Sequence, residues 1–361
     1  MSVQRVYLDL THVGRHVTGL ERIAIEQFEK VEFAGCEIVP VRAKGAVSMV
    51  LRQQFLLPLL ALLNPSARFV FPGFPPSPVF GLLSSRVTMY VHDTFLITRK
   101  KDLSAKARLY MAPQFSFALR RLKRFLVNSE KTLAEVREVC SADATVTLYR
   151  PAVSNVFALQ AIDRGNRLPT PRPLRLAALG TIEPRKNYTA AIAILDELRA
   201  LGHAGAELHI VGRAGWGEDA GRIASHPGVT VHGYLPAANV KACLEAADVY
   251  LCTSHDEGLG LPLLEAQYAG LPVVAPDAPV FREVLGASGT FIDTSKPKAA
   301  AAAIAALMQP AGWRTRETEA ALDNVARWNA GAAHDLAATK RMFSPGTQHA
   351  APSARMASRA P

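Results

Sequence analysis

The chain has 361 residues, of which 49% are hydrophobic and 20% charged, with 24 glycines and 24 prolines. That length leaves room for two domains with a core each, and that composition is ordinary for a globular α/β protein and excludes a disordered one. Its net charge of +10 sits in the first half: residues 1–168 hold 23 Lys and Arg against 13 Asp and Glu, and residues 169–361 hold 18 of each.

A basic half suits either a nucleic acid or an anionic membrane surface. No helix-turn-helix, zinc-finger or RNP-like motif favours nucleic acid. The four cysteines, Cys36, Cys140, Cys243 and Cys252, form no C-x-x-C pair and have no His at metal-ligand spacing, which points to a reducing cytoplasm. The N-terminus enters a strand at once and lacks a signal-peptide layout, and no run approaches the roughly 18 apolar residues of a membrane span. A cytoplasmic protein is expected, peripheral on the inner face of the membrane if it meets one.

In chain order, residues 3–10 alternate and read as a first strand. The loop T-H-V-G-R-H-V-T (11–18) and Gly19 lead into an amphipathic helix over about 20–31, and Arg15, His16 and Arg22 are the candidates there for contacting an anion. Residues 46–63 are very apolar but interrupted by Pro58 and closed by Asn64-Pro65, so they read as a buried or interfacial helix pair, too broken to span a bilayer. A strand and a Pro-rich loop follow over 69–80. The strand 86–91 ends in His92-Asp93-Thr94, and ligands of parallel sheets bind at such strand ends. His92 either faces a ligand or is satisfied within its loop by Asp93.

Residues 99–124 hold nine Lys and Arg and one Asp. After them come a strand (125–129), a helix (130–140), a strand (145–148) and a Pro-rich, basic linker (164–173). The second half opens on a strand (174–179), then G-T-I-E-P-R-K-N (180–187), then a long helix through 200. A helix N-terminus carries about half a positive charge and unpaired N–H donors, and Arg185 and Lys186 add two full charges just before it, which makes a diphosphate site. It is not a Walker loop, because the G-x-x-x-x-G-K-[ST] spacing is absent. Strand 208–211 leads to the loop G-R-A-G-W-G (212–217), where Arg213 is a candidate nucleotide contact. A strand and turn over 229–236 and a helix over 238–247 follow.

The apolar strand 249–252 runs into T-S-H-D-E-G-L-G-L-P-L-L-E-A-Q-Y-A-G (253–270). Glu257 and Glu265 bracket a Gly-rich turn, and Gly258 and Gly260 leave their backbone N–H groups open to an anionic or hydroxylated group. Glu265 is expected in the first turn of a helix opened by Pro262, ionised by the dipole and able to grip a sugar diol. A helix over 297–308 and a last helix toward 343 complete the pattern; the Pro, Ala, Ser and Arg residues after 343 read as a disordered tail.

This strand, turn and helix, with Glu257 and Glu265 eight apart, resembles the Glu-x7-Glu signature of the retaining GT-B glycosyltransferases of family 4. A-G-L-P-V-V-A-P (269–276) and F-R-E-V-L-G around Glu283 continue the pattern. The resemblance implies two Rossmann-like, doubly wound domains with an inter-domain cleft: an acceptor domain over 1–168, a nucleotide-sugar domain over 169–343, and the tail 344–361. It also implies that residues 327–343 form a terminal helix crossing back to the first domain. By resemblance, Glu257 hydrogen-bonds the sugar, Arg185 and Lys186 clamp the diphosphate, and His92 faces the donor sugar. Gly258, Leu259 and Gly260 lie against the phosphate, Glu265 grips the ribose, Gly180 and Arg213 border the donor, and Gly19 and Arg22 belong to the phosphate or acceptor loop.

The implied reaction transfers a hexose, mannose or similar, from a GDP-, UDP- or dTDP-linked sugar to a hydroxyl acceptor, a lipid-linked or polysaccharide intermediate of cell-surface glycans. No cofactor and no metal are expected, because none of the 13 Asp stands two residues from another and the cations at 185–186 supply the positive charge. A nucleotide-sugar epimerase and a non-catalytic sugar-nucleotide binding protein remain as alternatives. The first domain is further expected to dock on an anionic membrane through residues 99–124 and 55–63.

Overall fold

A computed structural model describes residues 3–14, 19–100, 103, 107–161, 172–215 and 220–344. The expected domain boundary at 168/169, most of the linker, the loop residues Arg15 and His16, and the expected tail from 345 lie outside the described residues.

Two six-stranded, wholly parallel sheets form the frame. The first comprises β1 (Gln4–Leu10), β2 (Cys36–Arg42), β3 (Arg68–Phe71), β4 (Val87–Val91), β5 (Arg124–Val127) and β6 (Thr145–Leu148), in the order β2-β1-β3-β4-β5-β6. The second comprises β7 (Arg175–Leu179), β8 (Glu207–Val211), β9 (Val229–Gly233), β10 (Val249–Leu251), β11 (Val273–Pro276) and β12 (Gly289–Ile292), in the order β12-β11-β10-β7-β8-β9. Central strands such as Val87–Val91 are buried throughout, as expected where helices cover both faces of a parallel sheet. In the second sheet the strand order reverses between β7 and β10, so the loops after these two strands open a crevice at their carboxyl ends. Those loops carry Arg185 and Glu257.

The strand Cys36–Arg42 was not foreseen. Pro40 sits inside it, which an edge strand tolerates because one side has no ladder to donate to, and it pairs only with β1. The 46–63 stretch also departs from expectation. It is not a pair of helices but one continuous helix, Ala46–Leu63, with a mean hydropathy of 1.6, long and apolar enough by length and composition to cross a membrane. A π-turn over Arg52–Leu56 lies just ahead of Pro58 and lets the helix pass that proline without breaking.

The last helix, Trp313–Phe343, has 31 residues and is about 46 Å long at 1.5 Å per residue. Near its start Thr318 and Asn324 hydrogen-bond Gly270, Gln267 and Val284 of the second domain. Its end packs Leu336, Met342 and Phe343 into the core of the first, on the sheet face lined by Val6, Leu8, Tyr90 and Tyr149. Among the described residues the chain thus crosses between domains twice, once near Tyr149–Ser154 and once along this helix.

Candidate functional site in the inter-domain cleft

The loop after β7 folds as its sequence suggests. Gly180 has φ of 145°, and a Cβ there would lie 2.7 Å from Lys186 Cε, so only glycine lets the lysine fold over this turn. Pro184–Lys186 makes one 3-10 turn, Asn187 takes a left-handed conformation, and the helix Tyr188–Ala200 begins. Thr253, just past β10, donates to the carbonyls of Lys186 and Asn187 at 3.1 and 2.9 Å and fastens the two crevice loops together.

Glu257 is the hub. Arg185 Nη1 and Lys186 Nζ each lie 2.6 Å from one of its oxygens, and Ser254 donates to it at 2.8 Å. Burial alone would raise this carboxyl, but the Lys186 and Arg185 charges overcome it and hold the pKa down at about 2. Arg185 also binds Glu183 at 2.6 Å and lies 5.3 Å over the Phe95 ring of the first domain. Its own protonated form is strengthened by Glu257 and Glu183 against the cost of burial.

Glu265 departs from expectation. The helix it belongs to is Leu261–Gln267, and Glu265 lies beyond its first turn, so the helix dipole does not hold it. Burial pushes its pKa up, and the opposing charge is Arg22 of the first domain, with which it forms an inter-domain ion pair. The phosphate-loop candidate and the ribose candidate are therefore partners in this state. Gly19 opens the short helix Gly19–Ala24 beside Leu261.

The turn 258–260 is buried against the first domain. A Cβ on Gly258 would come 2.2 Å from the His92 carbonyl, and the Gly258 carbonyl accepts a hydrogen bond from Ser129 at 2.9 Å. Gly260 has φ of 88°, and the Leu259 side chain points into the core of the second domain, so Leu259 offers only its backbone to a ligand. His92 is satisfied not by Asp93 but by the Pro72 carbonyl, 2.6 Å from Nε2, and burial lowers its pKa to about 4. Asp93 instead accepts from Phe95 N–H at 3.0 Å. Arg213 is exposed on its loop, and residues 216–217 beside it lie outside the described residues.

The sequence reading missed the first-domain contribution to this wall. Ser129 caps the helix Glu130–Val139 and holds Gly258, while Lys131 pairs with Asp256 at 3.1 Å. Glu283 of the second domain accepts the N–H groups of Glu130 and Lys131, at distances from 2.9 to 3.5 Å, and so caps that same helix across the cleft. The N-S-E segment at 128–130 carries an N-cap signature, but nothing local in it names its partner. Beside this contact a cavity of about 280 Å³ opens between the domains, lined among others by Phe74, His92, Asp93, Phe95, Met111 and Arg185. Among the described residues no group of three or more His, Cys, Asp or Glu side chains is placed to hold a metal ion.

The arrangement can bind an anion at Arg185 and Lys186, hydroxyls at Glu257 and Glu265, and a second, more apolar molecule in the neighbouring cavity. The chain is similar to known proteins. Residues 162–324 match the glycosyl transferases group 1 family. O-antigen chain mannosyltransferase B of Escherichia coli is 30% identical over 141 residues, 38% of this chain and 37% of that protein. Phosphatidyl-myo-inositol mannosyltransferase of Mycolicibacterium smegmatis is 34% identical over 148 residues, 38% of this chain and 37% of that protein. The chain thus aligns with little more than a third of the length of these curated relatives. Among solved structures, WaaG, a glycosyltransferase involved in lipopolysaccharide biosynthesis, superposes with a TM-score of 0.62 at 14% identity over 95% of this chain and 100% of that one. Anabaena HepE in complex with UDP and glucose gives 0.63 at 15% over 93% and 99%. Residues 162–324 are thus similar to the glycosyl transferases group 1, and the two facing Rossmann-like domains form a GT-B fold.

Proposed function

We propose that this chain is a retaining glycosyltransferase that moves a hexose, mannose or a similar sugar, from a nucleotide-diphosphate sugar to a hydroxyl of a lipid-linked or polysaccharide acceptor in the cytoplasm. The observation that carries it is Glu257, ionised and buried at a strand end between Arg185 and Lys186, with Glu265 eight residues on. The mannosyltransferase names of the aligned relatives support the sugar. Breaking the anomeric bond places positive charge on the sugar and negative charge on the departing diphosphate. Arg185, Lys186 and the N-terminus of the Tyr188–Ala200 helix lie where they stabilise that negative charge, in a site walled from water by the first domain. Glu257 accepts hydrogen bonds from sugar hydroxyls, and Glu265, released from Arg22, those of the ribose. The diphosphate oxygen itself can take the acceptor proton, so no protein nucleophile is assigned.

A thermal-shift screen with GDP-, UDP- and dTDP-sugars tests the donor: a saturating ligand at a hundred times its Kd stabilises by about 2.7 kcal/mol. Product analysis with and without an acceptor separates transfer from epimerisation, and absence of any donor turnover would leave a binding protein. With two protein cations at the diphosphate, EDTA should leave the rate nearly unchanged; a loss restored by Mn²⁺ or Mg²⁺ would overturn this account of leaving-group stabilisation.

A further inference from the structure

Three helical segments cover one face of the first sheet: Ala46–Leu63, Pro78–Arg86 and the run from Ala107 through Arg121. Their inner sides, including Leu57, Ala61, Phe80, Phe115 and Leu119, pack on Phe69, Phe71, Met89 and Phe125 of the strands. Their outer sides are also apolar. In Ala46–Leu63 the exposed residues Val47 (75%), Leu51 (53%), Phe55 (67%) and Leu62 (69%) follow helical spacing opposite the buried Met49, Gln53, Leu57 and Ala61. Leu82, exposed by 89%, extends this surface on the second segment, and Leu109, exposed by 76%, on the third.

These side chains share one surface, because the three segments touch. Arg86 donates to the carbonyls of Ala61, Asn64 and Pro65. The Phe117 ring covers Gly81, and Gln54 reaches Tyr110 and Gln114. The charge on the same segments has one sign: residues 46–63, 78–86 and 107–121 contain five Arg (Arg52, Arg86, Arg108, Arg120 and Arg121), with no Lys, Asp or Glu.

We propose that this face is a docking surface for an anionic lipid bilayer, with the Ala46–Leu63 helix lying in the plane of the interface. Exposed apolar residues on the scale of three neighbouring elements mark an interaction site. An apolar stripe edged by arginines and free of carboxylates suits the boundary between acyl chains and anionic headgroups. A second copy of this chain is the poorer occupant. An isologous contact sets each patch against itself, and a face without one carboxylate would bring arginines of like charge together with nothing to neutralise them. The helix lies flat and does not cross the bilayer. Gln53, in its π-turn, is buried and donates to Asp9 and Thr11 at 3.0 and 2.9 Å, which ties the inner side of the helix to the end of β1.

The surface continues into the cleft. Met111 and Phe115 line the 280 Å³ cavity beside Arg185, and Leu109, Tyr110 and Phe117 of the same helical run face outward. An acceptor whose lipid stays in the membrane would reach the cavity along this run. That last step rests on the transferase reading; the docking itself does not.

Vesicle co-sedimentation of the full chain tests it, with phosphatidylcholine alone and with phosphatidylcholine plus phosphatidylglycerol. Binding is expected with phosphatidylglycerol and should weaken as salt rises. The triple variant Leu51→Ser, Phe55→Ser, Leu62→Ser should bind at least ~10-fold more weakly, and the pair Arg108→Glu, Arg120→Glu should lose the preference for phosphatidylglycerol. All five side chains are exposed, so melting temperature and nucleotide-sugar binding should stay those of the parent; they report folding and the transferase site separately from docking. No vesicle binding at low salt, or equal binding by parent and triple variant, would overturn the proposal. A concentration-dependent dimer that the triple variant abolishes, without vesicle binding, would assign the face to a second copy. Vesicle binding without any nucleotide-sugar binding would leave the docking standing and remove the transferase.

Discussion

Glu257 gathers two cations and a hydroxyl within 2.8 Å, so its removal does two things at once. It deletes the proposed acceptor for the sugar and leaves Arg185 and Lys186 less well paired in a buried place. Glu257→Gln keeps the shape and one acceptor oxygen; we expect turnover to fall at least ~100-fold, with a smaller change in donor Kd measured by calorimetry. With a folded pKa of about 2 against 4.5 unfolded, Glu257 contributes stability that is present above pH 4.5 and lost only as pH falls toward 2. An acid limb of activity at higher pH must therefore belong to another group. The buried histidines act in the same direction but at higher pH. His12 and His92 are both held neutral with pKa values of about 4 by burial, so the unfolded chain takes up protons that the folded chain refuses. Stability should fall between pH 6.5 and 4, by up to ~3 kcal/mol per group. Neither ring nitrogen of His12 has a hydrogen-bond partner among the described residues, so His12→Leu should flatten the loss of melting temperature between pH 7 and 5; an unchanged slope would show the effect lies elsewhere. At this scale the clustering of Arg185 and Lys186 with Glu257 was legible, since the three lie in two short segments that follow neighbouring strand ends. Arg22 was named as an anion contact and pairs here with Glu265, and Ser129 was not named at all. Each meets its partner across more than a hundred residues, and no local pattern encodes such a contact.

At the level of elements, parallel strands announced themselves by short apolar runs, and β2 was missed because Pro40 interrupts its run and argues against a central strand. The 46–63 helix was misjudged for a related reason. Proline inside an apolar run normally marks a break, but here the π-turn ahead of Pro58 absorbs it, and Gln53 in that turn finds Asp9 and Thr11. A polar residue in an apolar run was the only sign that the helix has a fixed inner face. The 258–260 turn shows the same limit. Its glycines read in the sequence as ligand-facing backbone, yet the structure packs Gly258 against the first domain, where a Cβ would meet the His92 carbonyl at 2.2 Å. Backbone cannot move aside as a side chain can, so Gly258→Ala should hold the domains apart. We expect a larger radius of gyration by small-angle scattering and a loss of turnover exceeding the loss of donor affinity. A variant with parental scattering and rate would mean that the closed contact is not needed for catalysis.

For the whole molecule, the proposed transferase needs two domains held in register and a cleft that admits substrate, and the contacts divide along those lines. Those facing the cleft are polar and exchangeable: Arg22 with Glu265, Lys131 with Asp256, Glu283 with the start of the 130–139 helix. Those on the crossing helix are a firmer set. Arg150 gives Asp335 three hydrogen bonds, from its backbone N–H at 3.2 Å, Nε at 2.6 Å and Nη2 at 3.2 Å. Trp328 donates to the Pro151 carbonyl at 2.9 Å, and Asn329 grips Val153 through both its N–H and its carbonyl. The return of this helix to the first domain was legible only through family resemblance, because a 31-residue helix says nothing by itself about where its far end packs. Asp335 is 5% exposed, and removing one partner of such a pair leaves the other charge uncompensated, at a cost of about 3 kcal/mol. Asp335→Ala should therefore loosen the junction at Tyr149–Ser154, without touching Glu257, and calorimetry should show one unfolding transition become two as the domains lose their coupling. Donor binding, proposed for the second domain, should persist below the first of these transitions. A single transition at the parental temperature would mean that the crossing helix is held by its apolar contacts alone.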